Sequence, residues 1–156
     1  MGCHMGAVSI QATSFIVPLV LQKRAVDNSM IRVVIADDHP EIRVALRLLL
    51  NLSKSIEMIY EASNGQEAVD CVKRLEPDVL VMDIQMPVLD GFEATRQIAD
   101  LSVNTRVILM SSYRGTTVAE EAALVGAQGF LPKDVLAESL INAIEIVHRG
   151  ESFFVE

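Results

Sequence analysis

The chain has 156 residues, 51% hydrophobic and 22% charged, with a formal net charge of −8. That length supports one domain with a substantial core, and the composition excludes a disordered polymer. The acidic balance excludes nucleic-acid or anionic-membrane binding through a basic surface, so any DNA-binding role would rest on a further segment.

Organised patterning begins only at Ile31. Residues 1–30 are expected to be an N-terminal extension or an expression scar, with Met30 the natural start. The apolar stretch 15–21 is broken by Pro18 and falls well short of the roughly 20 residues a bilayer span takes. No Lys or Arg precedes it, which argues against a secretory signal. The alternative for 15–21 is a strand added to a sheet edge or a partner chain. Cys3 and Cys71 are the only cysteines; they suggest no disulfide framework and fit a cytoplasmic protein with no membrane association.

From there, short apolar runs alternate with helical patterns. Strands are predicted at 32–36, 57–62, 79–82, 106–110 and 129–131. The first, third and fourth are almost wholly apolar, as central parallel strands buried on both faces should be. The second alternates and carries Glu57 and Glu61, which suits an edge. Pro40 opens the first helix, where its missing N–H costs nothing, and Ile42, Ala45, Leu46, Leu49 and Leu50 follow at helical spacing. Asn64 and Gly65 punctuate the chain before a helix at 66–75, in which Cys71 reads as a core thiol. Further helices are predicted at 91–101, with Asp90 as its cap, and at 116–125 and 135–149. Five βα units imply an α/β fold, a doubly wound parallel sheet with helices on both faces. The last helix carries two apolar stripes: Leu136, Leu140, Ala143 and Val147, then Ala137, Ile141 and Ile144. The second either widens the core face or, with Val118, Ala122 and Val125, forms a dimer or partner surface.

Asp37 and Asp38 close the first run, and Asp83 closes the third. On neighbouring parallel strands these carboxylates meet at one sheet edge, where they cannot all ionise cheaply without a cation. Mg²⁺ suits such a site, because it takes hard oxygen ligands and keeps waters that a phosphate can replace. Ser111, Ser112 and Lys133 follow the fourth and fifth runs at the same edge, where ligands of such sheets bind. The constellation suits phosphoryl transfer. His39, next to two acids, is either an acid–base group or, the reading preferred, a turn residue before Pro40, and His148 reads as a helix-end cation.

The pieces VVIADDHP, MDIQMPVLDG, VILMSSY and GAQGFLPKD, each at a strand end, resemble the receiver domain of bacterial response regulators, over residues 31–156. The resemblance implies a flavodoxin-like (βα)5 fold with strand order 2-1-3-4-5. It implies that Asp83 accepts a phosphoryl group from a sensor histidine kinase or phosphotransfer protein. Asp38 and the backbone carbonyl of Gln85 would join Asp83 as Mg²⁺ ligands, with Asp37 acting through water. Lys133 would pair with a phosphoryl oxygen, Ser111 would donate its hydroxyl, and Phe130 would be the ring that turns on activation. Gln85 and Tyr113 would tune the lifetime of the phosphate. Lys133 is followed by Asp134, where many relatives have proline. The DDHP start, the KD pair and the closing HRGESFF resemble the NarL/FixJ-type branch, whose receivers usually precede a helix-turn-helix DNA-binding domain and are expected to dimerise on activation. The sequence stops where a linker normally begins, so a truncated output domain is the expectation.

Such a protein is a switch rather than an enzyme, promoting only its own phosphorylation and dephosphorylation. Two rivals stand beside it. A Mg²⁺-dependent phosphohydrolase of the haloacid-dehalogenase type usually has a second acid two residues after the nucleophile, where this chain has Gln85. A pseudo-receiver typically loses the acceptor or an acidic ligand, whereas Asp38, Asp83, Ser111 and Lys133 are all present.

Overall fold

The structure is a computed structural model that describes residues 29–156. The readings for residues 1–28, including the added strand at 15–21, lie outside the described residues. In chain order the elements are β1 (Ile31–Ala36), α1 (Pro40–Leu50), β2 (Ile56–Ala62), α2 (Gly65–Leu75), β3 (Val79–Asp83) and α3 (Gly91–Ala99). They continue with β4 (Arg106–Ser111), α4 (Thr116–Leu124), β5 (Gly129–Pro132), a 3-10 turn over Lys133–Val135, α5 (Leu136–His148) and β6 (Phe153–Phe154).

The strands form one sheet in the order β2-β1-β3-β4-β5-β6, every pair parallel. The expected order 2-1-3-4-5 holds, with β2 at an edge, and β6 is an addition to it. Two residues are too few for any periodicity to mark a strand. Backbone bonds make this one: Phe153 N–H donates to Gln128 O and Val155 N–H to Phe130 O, both at 3.0 Å. Between β1 and β2 the register slips after Val33, leaving Ile59 as an extra residue. A bulge of this kind bends an edge strand and increases its twist.

Strand alternation divides the core in two. Val34, Ala36, Leu80, Met82 and Leu109 face one side of the sheet, packing with Val69, Val72, Ala94 and Ala122 of α2, α3 and α4. Val33, Ile35, Val81, Ile108 and Met110 face the other, packing with Leu46 and Leu50 of α1 and with Leu140 and Ile144 of α5. Fully burying each of the Val, Leu, Ile and Met side chains stabilises by about 1.5–3 kcal/mol. This two-sided core fixes the register of the strands and therefore which residues end at the same edge.

Local chemistry sets the helix ends. Pro40 occupies the first turn of α1. Asn64 and Asp90 cap α2 and α3, each accepting a hydrogen bond from the backbone N–H three residues on. Cys71 is buried, as expected. The third helix ends at Ala99 rather than residue 101, and the last spans Leu136–His148 rather than 135–149.

The two stripes of α5 do not form separate faces. Leu136, Leu140, Ala143 and Val147 are buried and Ile144 is buried with them, while Ile141 is half-buried and Ala137 exposed. Ala122 and Val125 are also buried, and Val118 packs against the core. The partner surface considered for these residues is therefore largely interior. Helix α4 needs its apolar side to cover the sheet. Among the described residues no helix is long and apolar enough to cross a membrane.

Candidate functional site

The sheet delivers its polar residues to the C-terminal ends of β1, β3, β4 and β5. Asp37 directly follows β1 and its N–H donates to Ala62 O at 3.1 Å, so the β1–β2 pairing places it. Asp83 is the last residue of β3, opposite Met110 of β4. Ser111 ends β4 and Lys133 follows β5. One oxygen each of Asp37, Asp38 and Asp83 lies within 4.8 Å of the others and of a ring nitrogen of His39.

Asp37 is fully buried and Asp83 almost so, whereas Asp38 is partly open to solvent. The Lys133 ammonium bridges the buried pair, 2.8 Å from Asp37 Oδ2 and 3.3 Å from Asp83 Oδ1. Burial pushes the pKa of Asp83 up, the charge of Lys133 opposes that shift, and Asp37 and Asp38 reinforce it. For Lys133, burial acts downward. The hydrogen bond to Asp37 and the charges of Asp83 and Asp37 outweigh it, so its pKa is raised. The two shifts have one origin, excess negative charge in a poorly solvated crevice.

Asp38 Oδ1 is buried without a hydrogen-bond donor, although His39 Nδ1 stands 3.1 Å away. A buried carboxylate oxygen lacking a donor is costly. Three hard-oxygen side chains, Asp38 with Asp37 and Asp83, suit a small divalent cation. The residues fit that group.

The loop after Asp83 is shaped by Gly91. A Cβ there would come within 2.4 Å of the Asp83 carbonyl oxygen, so only glycine lets α3 start this close to the end of β3. Gln85 is exposed in this loop. Of the two serines ending β4, Ser111 is buried and Ser112 exposed, and Ser111 Oγ accepts from the Tyr113 N–H at 3.0 Å. The Tyr113 side chain is exposed. Phe130 is fully buried on the side of the sheet covered by α2, α3 and α4. The structure thus gathers Asp37, Asp38, Asp83 and Lys133 closely and sets Ser111 on the adjacent strand end. Phe130 belongs to the core behind them.

Sequence reasoning passed over two residues and set a third aside. His39, weighed as an acid–base group beside two acids and taken as a turn residue, precedes α1, and its Nδ1 contacts carboxylate oxygens of both Asp37 and Asp38 at 3.1 Å; its pKa is raised, first by the hydrogen bond to Asp37 and then by the charge of Asp38. Arg43, one turn into α1, donates to the Asp37 backbone oxygen at 2.6 Å and lies 3.4 Å from Glu61. Arg114 pairs with Asp134 at 2.8 Å, tying the loop after β4 to the turn after β5. That contact joins residues distant in sequence, and neither alone announces it.

Comparison with known proteins agrees with this arrangement. The Transcriptional regulatory protein LnrK of Bacillus subtilis (strain 168) is 38% identical over 121 residues, covering 78% of this chain and 55% of that protein. The Response regulator UvrY of Escherichia coli (strain K12) is 32% identical over 124 residues, covering 80% and 57%. The chain spans little more than half the length of these curated relatives. Among solved structures, the signal receiver domain of the response regulator NarL from Mycobacterium tuberculosis superposes with a TM-score of 0.76 at 32% identity, covering 79% of this chain and 99% of that one. The family model for the response regulator receiver domain matches residues 33–145; the chain belongs to that family, and its relatives are response regulators of the NarL/LuxR type.

Proposed function

We propose that this chain is the phosphoacceptor module of a two-component response regulator and that Asp83 carries the phosphoryl group. The observation that carries this reading is the Lys133 ammonium between Asp37 and Asp83, beside a buried Asp38 oxygen without a donor. A carboxylate oxygen of Asp83 attacks the phosphorus of a phosphohistidine on a sensor histidine kinase or phosphotransfer protein. The P–N bond breaks, and the leaving imidazole takes up a proton. Little covalent work falls to the receiver, so its contribution is positioning and charge compensation.

Asp38, Asp83 and the backbone carbonyl of Gln85 would hold Mg²⁺, with Asp37 acting through a water; when bound, the ion neutralises charge on the transferring group. Lys133 supplies a fixed positive charge at the same edge. Ser111 Oγ accepts from Tyr113 N–H, which leaves its own proton to donate to a phosphoryl oxygen. That bond would draw the loop after β4 toward Asp83. The repacking of Phe130 then carries the change to the surface as a population shift between two states. Gln85 and Tyr113, each exposed two residues beyond Asp83 and Ser111, would control access of hydrolysing water. Activation leads to a homodimer and to transcription control through a DNA-binding output domain.

Intact mass after incubation with Mg²⁺ and acetyl phosphate tests the reading. One phosphoryl adduct that needs Mg²⁺ and is lost in Asp83→Ala supports it. No adduct under conditions that label a control receiver overturns it in favour of a phosphorylation-independent interaction module.

A further inference from the structure

The segment around β6 lies along β5 at the level of the buried ring. Phe154 pairs in register with Phe130, and both side chains belong to the core on the α2, α3 and α4 side. Phe153 and Val155 project to the other face, against the core that holds Leu131 and Leu140. Residues 153–155 therefore straddle the free edge of β5, as alternation along a strand requires. The segment seats closely because β5 presents no side chain at Gly129, where a Cβ would lie 3.0 Å from the Phe153 carbonyl oxygen. Its attachment is nevertheless slight. Phe153, Phe154 and Val155 are each only half-buried. A cleft lined by Ala119, Glu120, Ala123, Phe154 and Glu156 separates it from α4. Glu120 and Glu156 carry the same charge, so attraction between them cannot fasten the segment to that helix. Short, half-exposed elements of this kind open at far less free energy than the core does.

We propose that residues 151–156 are a strap, docked on β5 while Phe130 keeps its present packing and released when that ring repacks. The proposal rests on reading Asp83 as the phosphoacceptor and Phe130 as the ring that answers it. A ring that turns away from β6 removes the surface on which Phe154 sits. Release then uncovers the backbone oxygens of Gln128 and Phe130, which now accept from Phe153 and Val155. An unpaired strand edge between α4 and α5 is a surface that the resting state does not offer. Coupling of this kind is reciprocal: whatever releases the strap binds more tightly once the strap is gone.

Hydrogen exchange of the full chain, resolved at the Phe153 and Val155 amides, tests this with and without Mg²⁺ and excess acetyl phosphate. Intact mass of the same samples reports whether Asp83 is labelled. Exchange at both amides is expected to rise at least about fivefold in the labelled protein, the low end of coupling between sites. It should not change in Asp83→Ala treated alike. Phe154→Ala and Gly129→Ala disturb the strap without altering the crevice. Each is expected to tighten binding of beryllofluoride, a non-covalent phosphoryl mimic, by a factor similar to the gain in exchange. Unchanged exchange in protein that carries the adduct, or unchanged beryllofluoride affinity in both variants, overturns the proposal and leaves β6 a fixed edge strand. Absence of the adduct is a separate result: it overturns the phosphoacceptor reading, and the strap falls with it.

Discussion

Lys133 Nζ lies closer to Asp37, at 2.8 Å, than to Asp83, at 3.3 Å. The cation is held by the acid that is not the proposed acceptor, so it stays at the sheet edge whichever charge state Asp83 takes. An ammonium placed in advance needs little reorganisation when charge develops on a transferring phosphoryl group. Lys133→Met is therefore expected to slow labelling of Asp83 by acetyl phosphate by about 10²–10³-fold, the range for removing one preorganised donor. A time course of intact mass measures it. An unchanged rate would sink the role given to this lysine.

Asp83 gives the protein a pH-dependent stability. Burial raises its pKa above the ordinary 3.8, so the folded chain binds this proton more tightly than the unfolded chain does. The contribution is fully present below the unfolded value and is lost as pH rises through the raised folded one. Asp83→Asn removes that loss. Without divalent cations the variant should melt higher than wild type at neutral pH, with the gap closing as pH falls toward 3.8. Melting curves across that window check the sign, and a variant less stable at neutral pH would contradict it.

Phe130 is fully buried, paired in register with Leu109 of β4 and Phe154 of β6. Truncation there opens a cavity at β5. Phe130→Ala should cost about 3–5 kcal/mol of unfolding free energy, read from urea denaturation. A loss under 1 kcal/mol, well below the cost expected for a buried aromatic, would mean the ring is not packed as found.

Val88 sits in the loop between β3 and α3 at φ 70 and is 80% exposed. A β-branched residue in the left-handed region is strained by about 1–3 kcal/mol. Glycine removes that strain but loses about 0.5–1 kcal/mol to unfolded-chain entropy. Val88→Gly is expected to stabilise by roughly 1 kcal/mol, the difference between those terms. An unchanged or lower melting temperature would refute strain at this position.

By itself the sequence determined the alternation of strands and helices and the residues at the strand ends. Apolar runs such as those in β1, β3 and β4 have one low-energy use, as strands buried on both faces. An acid closing such a run must then emerge at the sheet edge, which made Asp37, Asp38 and Asp83 legible as a group. Pro40, Asn64 and Asp90 marked helix starts because capping chemistry is local.

Only the tertiary structure decided what depends on pairing between distant segments. Strand β6 exists because β5 offers unpaired backbone groups to Phe153 and Val155, and two residues carry no pattern that reveals this. The bulge at Ile59 comes from strand register. The second stripe of α5 was ambiguous as a pattern, and packing on the sheet settled it by burying Ile144 and leaving Ala137 exposed. Lys133 meets Asp37 across 96 positions of chain, and the contact of His39 with two carboxylates depends on how β1 hands over to α1. Periodicity records which side of an element is apolar; the distances that turn neighbouring acids into a site follow from how the sheet closes around them.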